Sequence, residues 1–346
     1  MSNLQIGLAV AGGLVLAGIV AHGAWTSRRN APRQADADAG VDAASREERE
    51  PGFSDEGFVP RVAPVPLWAR NPAMDTLLDV IATLALDPAT PVVSGDAAIA
   101  ALPATRRAGA KPFAVEGFNL RSQAWESPLP GQRYGGFQAG VQLANRSGPL
   151  NEIEYSEFVV KTHAFADAIN ATPEFPEMLD EVARARELDQ FASAHDAQLG
   201  FSIRARSASW SPGYVQQNAA RLGFVPGTIA GRMVLPADTE GLPPLLVLTF
   251  DSQAALAEDP AQSAIRALSL QLDVAQVDRA ARPYERMREA AFAMAQAMEG
   301  QVTDDEGQPL AAQTMDVIGA ELEDLYNRLE ERDFAAGSPL ARRLFS

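Results

Sequence analysis

The chain contains three histidines, His22, His163 and His195, and no cysteine. Thiolate nucleophiles, disulfides and sulfur-ligated zinc are excluded, and imidazoles spaced this widely make no metal-ligand cluster. His195 precedes Asp196, as half of a catalytic triad would, but no nucleophile stands beside the pair. A solvated histidine ahead of a strand is the simpler reading. Thr303-Asp304-Asp305-Glu306-Gly307 has the acidity of a cation loop. It lacks the alternating ligands and distal Glu of an EF-hand, which leaves a surface turn. Glu152 and Glu154 open a helix, where acids complement the backbone dipole. Dinucleotide, P-loop, nucleophile-elbow and HExxH patterns are all missing, and Gly12-Gly13 lies inside an apolar run. The residues predict no catalytic centre, no cofactor and no metal. A binding module is the leading reading; an enzyme with an unrecognised site is the last.

The rest of the composition fits that reading. A chain of 346 residues accommodates two domains. It has 47% apolar and 21% charged residues, enough to bury a core. Lys and Arg number 29 against 45 Asp and Glu, a net charge of −16, which argues against nucleic acid as a partner.

Leu4–Trp25 runs without an ionised side chain, and as a helix is ~33 Å long against a ~30 Å hydrocarbon core. A cleaved signal peptide needs basic residues before the run; here Arg28, Arg29 and Arg33 follow it. The spacing predicts a single membrane span over 4–25, with the N-terminus periplasmic and the bulk of the chain cytoplasmic. Ala9, Gly13, Ala17 and Ala21 form a small-residue stripe through which two such helices would dimerise. Residues 26–70 are rich in Ala, Pro and charge, and read as a flexible linker.

Beyond the linker the pattern is α+β, in a middle domain at 71–196, a second domain at 197–333 and a tail at 334–346. Strands are predicted at 77–86, 113–118, 134–145, 198–206, 228–235, 245–250, 267–273 and 301–303. Helices are predicted at 94–102, 153–169, 176–194, 212–222, 283–298 and 311–331. The halves resemble each other. Tyr155, Phe158, Thr162, Phe165 and Ile169 line one helix face, and adding 129 gives Tyr284, Met287, Ala291, Met294 and Met298. The same offset carries Val141-Gln142-Leu143 onto Leu270-Gln271-Leu272. An internal duplication and two unrelated halves are the competing readings. Either gives a largely antiparallel sheet with helices on one face, leaving the other open to a peptide.

His22-Gly23-Ala24-Trp25-Thr26-Ser27-Arg28-Arg29 resembles the membrane anchor of the ZipA family, and Gln216-Gln217-Asn218-Ala219-Ala220-Arg221-Leu222-Gly223-Phe224 resembles the first helix and turn of its FtsZ-binding domain. The later strand, helix, Asp304-Asp305 turn and last helix follow in the family's order. The resemblance covers residues 4–29 and 197–333. It implies a split β-α-β fold whose sheet face receives the short, apolar and acidic C-terminal tail of FtsZ. It also implies an inner-membrane adaptor at the division septum; a tethered scaffold for another division or envelope protein is the alternative.

Two features depart from the family: the block at 71–196, and the polarity of the open face. Alternation puts Phe201, Ile203, Leu246, Leu248, Phe250, Leu268, Leu270 and Leu272 under the helices. Gly200, Ser202, Arg204, Ile229, Val247, Thr249, Ser269 and Gln271 are left outside, either as a groove or as a plain solvated face. The expected contacts are Ile229 and Val247 as apolar anchors, Arg204 and Arg232 as cations, and Thr249, Ser269 and Gln271 between them. A regular strand puts Ile229 and Arg232 on opposite faces; a bulge at Gly231 reconciles them.

Overall fold

The computed structural model describes residues 33, 74–257, 259 and 263–346. The expected span Leu4–Trp25, with Ala9, Gly13, Ala17 and Ala21, lies outside the described residues. Among those described, no helix is long and apolar enough to cross a membrane. The described chain forms two compact units. A terminal unit gathers Gln198–Asp273, Ala281–Glu321 and Arg33; a middle unit gathers 74–197, Val274–Ala280 and Leu322–Ser346.

The middle unit contains β1 (Asp79–Leu86), α1 (Gly95–Ala101), β2 (Lys111–Asn119), β3 (Arg133–Gln142), α2 (Glu152–Ala168), β4 (Ala171–Glu174) and α3 (Met178–His195). Its main strands lie in the antiparallel order β2-β3-β1-β4, with short strands at the margins. One face packs Val80, Ala82, Leu84, Phe113, Phe137 and Val141 against Ala98, Phe158, Phe165 and Ala185 of the helices. α2 begins in a capping box: Asn151 Oδ1 accepts the Glu154 N–H at 3.0 Å, and Glu154 Oε2 accepts the Asn151 N–H at 3.2 Å.

The terminal unit contains β5 (Gln198–Ala205), α4 (Pro212–Ala220), β6 (Val225–Pro226), β7 (Arg232–Leu235), β8 (Leu246–Thr249), α5 (Ser252–Ala255), β9 (Ala267–Asp273), α6 (Pro283–Ala297), β10 (Gly300–Thr303) and the first part of α7 (Ala312–Glu331). Its antiparallel sheet runs β6-β7-β8-β9-β5-β10. The alternation expected for the core face holds: Phe201, Ile203, Leu246, Leu248, Phe250, Leu268, Leu270 and Leu272 are all buried. So is the α6 stripe Tyr284, Met287, Ala291, Met294 and Met298. Pro212 and Pro283 stand at the first turns of their helices, where a missing N–H costs nothing.

Both sheets place their first strand between the last two: β2-β3-β1-β4 parallels β8-β9-β5-β10. The α2–β4 and α6–β10 turns each use a non-glycine residue in the left-handed region, Asn170 (φ 57°) and Glu299 (φ 50°), and 170 + 129 = 299.

The structure also differs from the sequence reading. β4 follows α2, where no strand was expected, because four residues are too few to show a period. The strand expected over 228–235 begins only at Arg232. Residues 334–346, read as a tail, form α8 (Pro339–Leu344) within the middle unit, with Leu344 and Phe345 buried. The Arg343 guanidinium grips both carboxylate oxygens of buried Asp79, one at 2.9 Å, and Gln276 Nε2 donates to Phe345 O at 2.6 Å. Arg33, assigned to the linker, bridges to Trp210 of the terminal unit. It exchanges backbone hydrogen bonds with Ser209 (2.8 Å) and Ser211 (2.9 Å), and its guanidinium pairs with Glu299.

Candidate functional site

The outward face of the terminal sheet is built by register. Arg232 pairs with Thr249, Thr249 with Ser269, and Ser269 with Ser202; beside that row, Val234 pairs with Val247, Val247 with Gln271, and Gln271 with Gly200. Arg204 stands one step along β5, opposite Ala267 and Gln301. Directly paired residues share a face, so Arg204, Arg232, Val247, Thr249, Ser269 and Gln271 lie on one surface. Arg204, Arg232 and Gln271 are exposed, and the other three half-buried. The surface is shallow and polar, with Val234 and Val247 as its apolar centre.

Ile229 is not in the strand. Gly231 adopts φ +75°, and a Cβ there would come within 2.6 Å of Phe250 O. The Arg232 N–H donates to Ile229 O at 3.1 Å, closing a turn in which Ile229 is 58% exposed. A turn thus stands where a bulge was expected, and Ile229 projects from the end of β7 rather than from its face. Glycine in the left-handed region was the sequence signal available for it.

The acidic run 303–307 is a closed turn. Asp304 Oδ1 accepts the Gln308 N–H at 2.7 Å, and the Gly307 N–H donates to Asp304 O at 3.1 Å. It borders the same face: Asp305 Oδ1 would lie 3.7 Å from a Cβ on Gly200, and the Arg204 guanidinium 3.3 Å from one on Gly307. Sequence reasoning missed that this turn adjoins the face, with the Asp305 carboxylate beside Gly200 and the Arg204 guanidinium beside Gly307. Behind the sheet the Tyr284 hydroxyl donates to Met315 O at 2.6 Å, and burial pushes its phenol above the ordinary value. It is a neutral structural donor.

His195 and Asp196 do not act on each other. His195 Nδ1 lies 2.7 Å from Phe191 O, while Asp196 is held by Arg146 at 2.6 and 2.8 Å. His163 packs its ring 5.2 Å from that of Phe175. Among the described residues no three His, Asp or Glu side chains are grouped to hold a metal. The open face thus brings together side chains of four adjacent strands, apolar at Val234 and Val247 and cationic at Arg204 and Arg232.

Residues 250–321 match the family described as ZipA, C-terminal FtsZ-binding domain, the family that the sequence resembles. The match spans α5, β9, α6, β10 and the start of α7, and so includes Ser269 and Gln271 of the open face. No curated protein matches the chain. Among solved structures, berberine bridge enzyme from Eschscholzia californica aligns at 8% identity over 78% of this chain, with a TM-score of 0.15. This chain spans 53% of that structure's length, and a likeness so slight carries no argument.

Proposed function

We propose, from the ZipA C-terminal FtsZ-binding domain matched at residues 250–321, that this chain tethers FtsZ filaments to the cytoplasmic membrane at the division septum by binding the FtsZ C-terminal tail. That match is the observation that carries the reading. The open face supplies the receptor: the tail lies across Val247 and Thr249, flanked by Ser269 and Gln271. Ile229 closes over it from the rim, and Arg204 and Arg232 meet its carboxylates. A shallow polar face gives each contact modest affinity. A polymer bearing many tails, met by anchors confined to a plane, supplies the avidity.

The anchor is the Leu4–Trp25 helix, with the N-terminus periplasmic, the described units cytoplasmic, and dimerisation through Ala9, Gly13, Ala17 and Ala21. The two units descend from one duplicated split β-α-β ancestor. The shared strand order and the common offset of Asn170 and Glu299 support this. The polarity of the face favours one second reading, a membrane-tethered scaffold for a different division or envelope protein.

The test is binding of a synthetic FtsZ tail peptide to the full chain in detergent, with Val247→Asp and Ile229→Asp as variants and circular dichroism as the folding check. Binding that both variants abolish supports the face. Binding that neither weakens moves the tail elsewhere on the chain. No binding by the unaltered chain, with a different division protein copurifying, favours the scaffold.

A further inference from the structure

The outward face of the middle sheet carries an aromatic corner with a glycine floor. Between Gly117 and Asn119 strand β2 advances two residues while β3 advances three, from Phe137 to Tyr134, so Gly135 and Gly136 together oppose Phe118. This is a β-bulge, a device that re-aims side chains at sheet edges and binding sites. Tyr134 and Phe137 point into the core. Phe118 pairs across the other edge with Trp125, their rings edge to face at 5.5 Å, and Trp125 is 43% exposed. Leu120, 42% exposed, reaches over Gly135, where a Cβ would come within 2.7 Å of its Cδ2. At Gly136 an added Cβ would meet nothing within 4 Å.

Neither Gly135 nor Gly136 adopts the left-handed region that favours glycine. Backbone conformation therefore does not require them, and glycine inside a strand weakens it. Leu120 covers Gly135, and what Gly136 leaves is open backbone beside three large apolar side chains, the arrangement that lets another backbone approach closely.

Electrostatics select the visitor. Arg133 opens β3 at this corner and Arg121 lies in the turn after β2; both are exposed, and neither makes an ion pair among the described residues. The nearby carboxylates keep their charge but are withdrawn from solvent, Glu116 buried and Glu126 half-buried, each held by neutral donors. Glu126 accepts from Asn119 Nδ2 (2.6 Å) and the Tyr134 hydroxyl (3.1 Å), and Glu116 from the Met74 N–H (3.1 Å) and Gln138 Nε2 (2.8 Å).

We propose that this corner is a second docking surface, for an extended acidic peptide of a partner protein. One aromatic or branched aliphatic side chain of that peptide rests on Gly136 beside Phe118 and Trp125, and its carboxylates face Arg121 and Arg133. The site lies outside residues 250–321 and stands independently of the FtsZ reading. The probe is a labelled synthetic hexapeptide, acetyl-Asp-Glu-Phe-Leu-Asp-Glu-amide, titrated by fluorescence anisotropy at low salt against the full chain in detergent. Gly136→Val raises the floor through a Cβ that meets nothing within 4 Å, Trp125→Ala removes an exposed wall and Arg133→Glu reverses a charge. Each is expected to weaken binding at least tenfold, with Val317→Asp, on the exposed side of α7 in the terminal unit, having no effect. Absence of binding, equal binding of a peptide with lysines for its acids, or indifference to both Gly136→Val and Trp125→Ala would overturn the site. So would binding seen only after residues 34–73 are deleted, which would assign the corner to the chain's own linker.

Discussion

Replacing Arg343 by alanine will unfold the middle unit at far lower cost than the native chain requires. Asp79 is 3% exposed and the Arg343 side chain 17%, so the pair is largely withdrawn from water, and one N–O contact measures 2.9 Å. Removing one partner of such a pair leaves an uncompensated buried charge, which costs about 3–5 kcal/mol. The Asp75 N–H still donates to Asp79 Oδ2 at 2.8 Å and retains part of that stabilisation, so the lower end, about 3 kcal/mol, is expected. Arg332 with Glu187 is the internal control: the same C-terminal segment, an N–O distance of 3.2 Å, but side chains 53% and 70% exposed. Its loss should cost about 0–1 kcal/mol. Hydrogen exchange of the Val80, Ala82 and Val141 amides reads the middle unit separately from the terminal one. For Arg343→Ala these amides should exchange about a hundredfold faster, since every 1.4 kcal/mol is tenfold, and for Arg332→Ala less than about fivefold. Equal effects of the two substitutions, or less than about fivefold for Arg343→Ala, would refute the argument that α8 completes this unit.

Two further outcomes follow from local geometry. Gly231→Ala must hold a side chain at φ +75° with its Cβ 2.6 Å from Phe250 O; the conformation alone costs about 1–2 kcal/mol, so thermal unfolding should show a loss beyond that and tail binding should weaken as the Ile229 turn shifts. Burial pushes the Glu181 carboxyl above its ordinary value, so the folded chain retains a proton that the unfolded chain has released; the associated stability is full below the unfolded value and is lost as pH rises through the raised folded one, and melting curves of Glu181→Gln from pH 4 to 7 should decline less than those of the parent.

Much of the fold is legible because burial imposes a period. Leu268, Leu270 and Leu272 alternate along β9, and Tyr284, Met287, Ala291, Met294 and Met298 repeat at helical spacing; both sets are buried. A strand has two faces, so fixing the buried one also fixed the outward residues Val247, Thr249, Ser269 and Gln271. Ile229 escaped this reasoning because a left-handed glycine ends the strand, and alternation says nothing across a turn. The Gly135–Gly136 bulge escaped it because one extra residue shifts the phase of β3, so that Tyr134 and Phe137, three apart, are both buried.

What the sequence by itself determined is therefore local: the apolar run at 4–25, the absence of thiolate chemistry, the faces of helices and strands, and an order of elements resembling one family. Tertiary structure alone decided which distant segments complete a unit. Nothing near residue 343 announces Asp79 as its partner, and nothing in the charged stretch after residue 26 marks Arg33 for Trp210 and Glu299. Periodicity encodes how much of an element is buried because neighbours along the chain share one backbone geometry. The choice of partner depends on shape and charge brought together across hundreds of residues, and no local period records it.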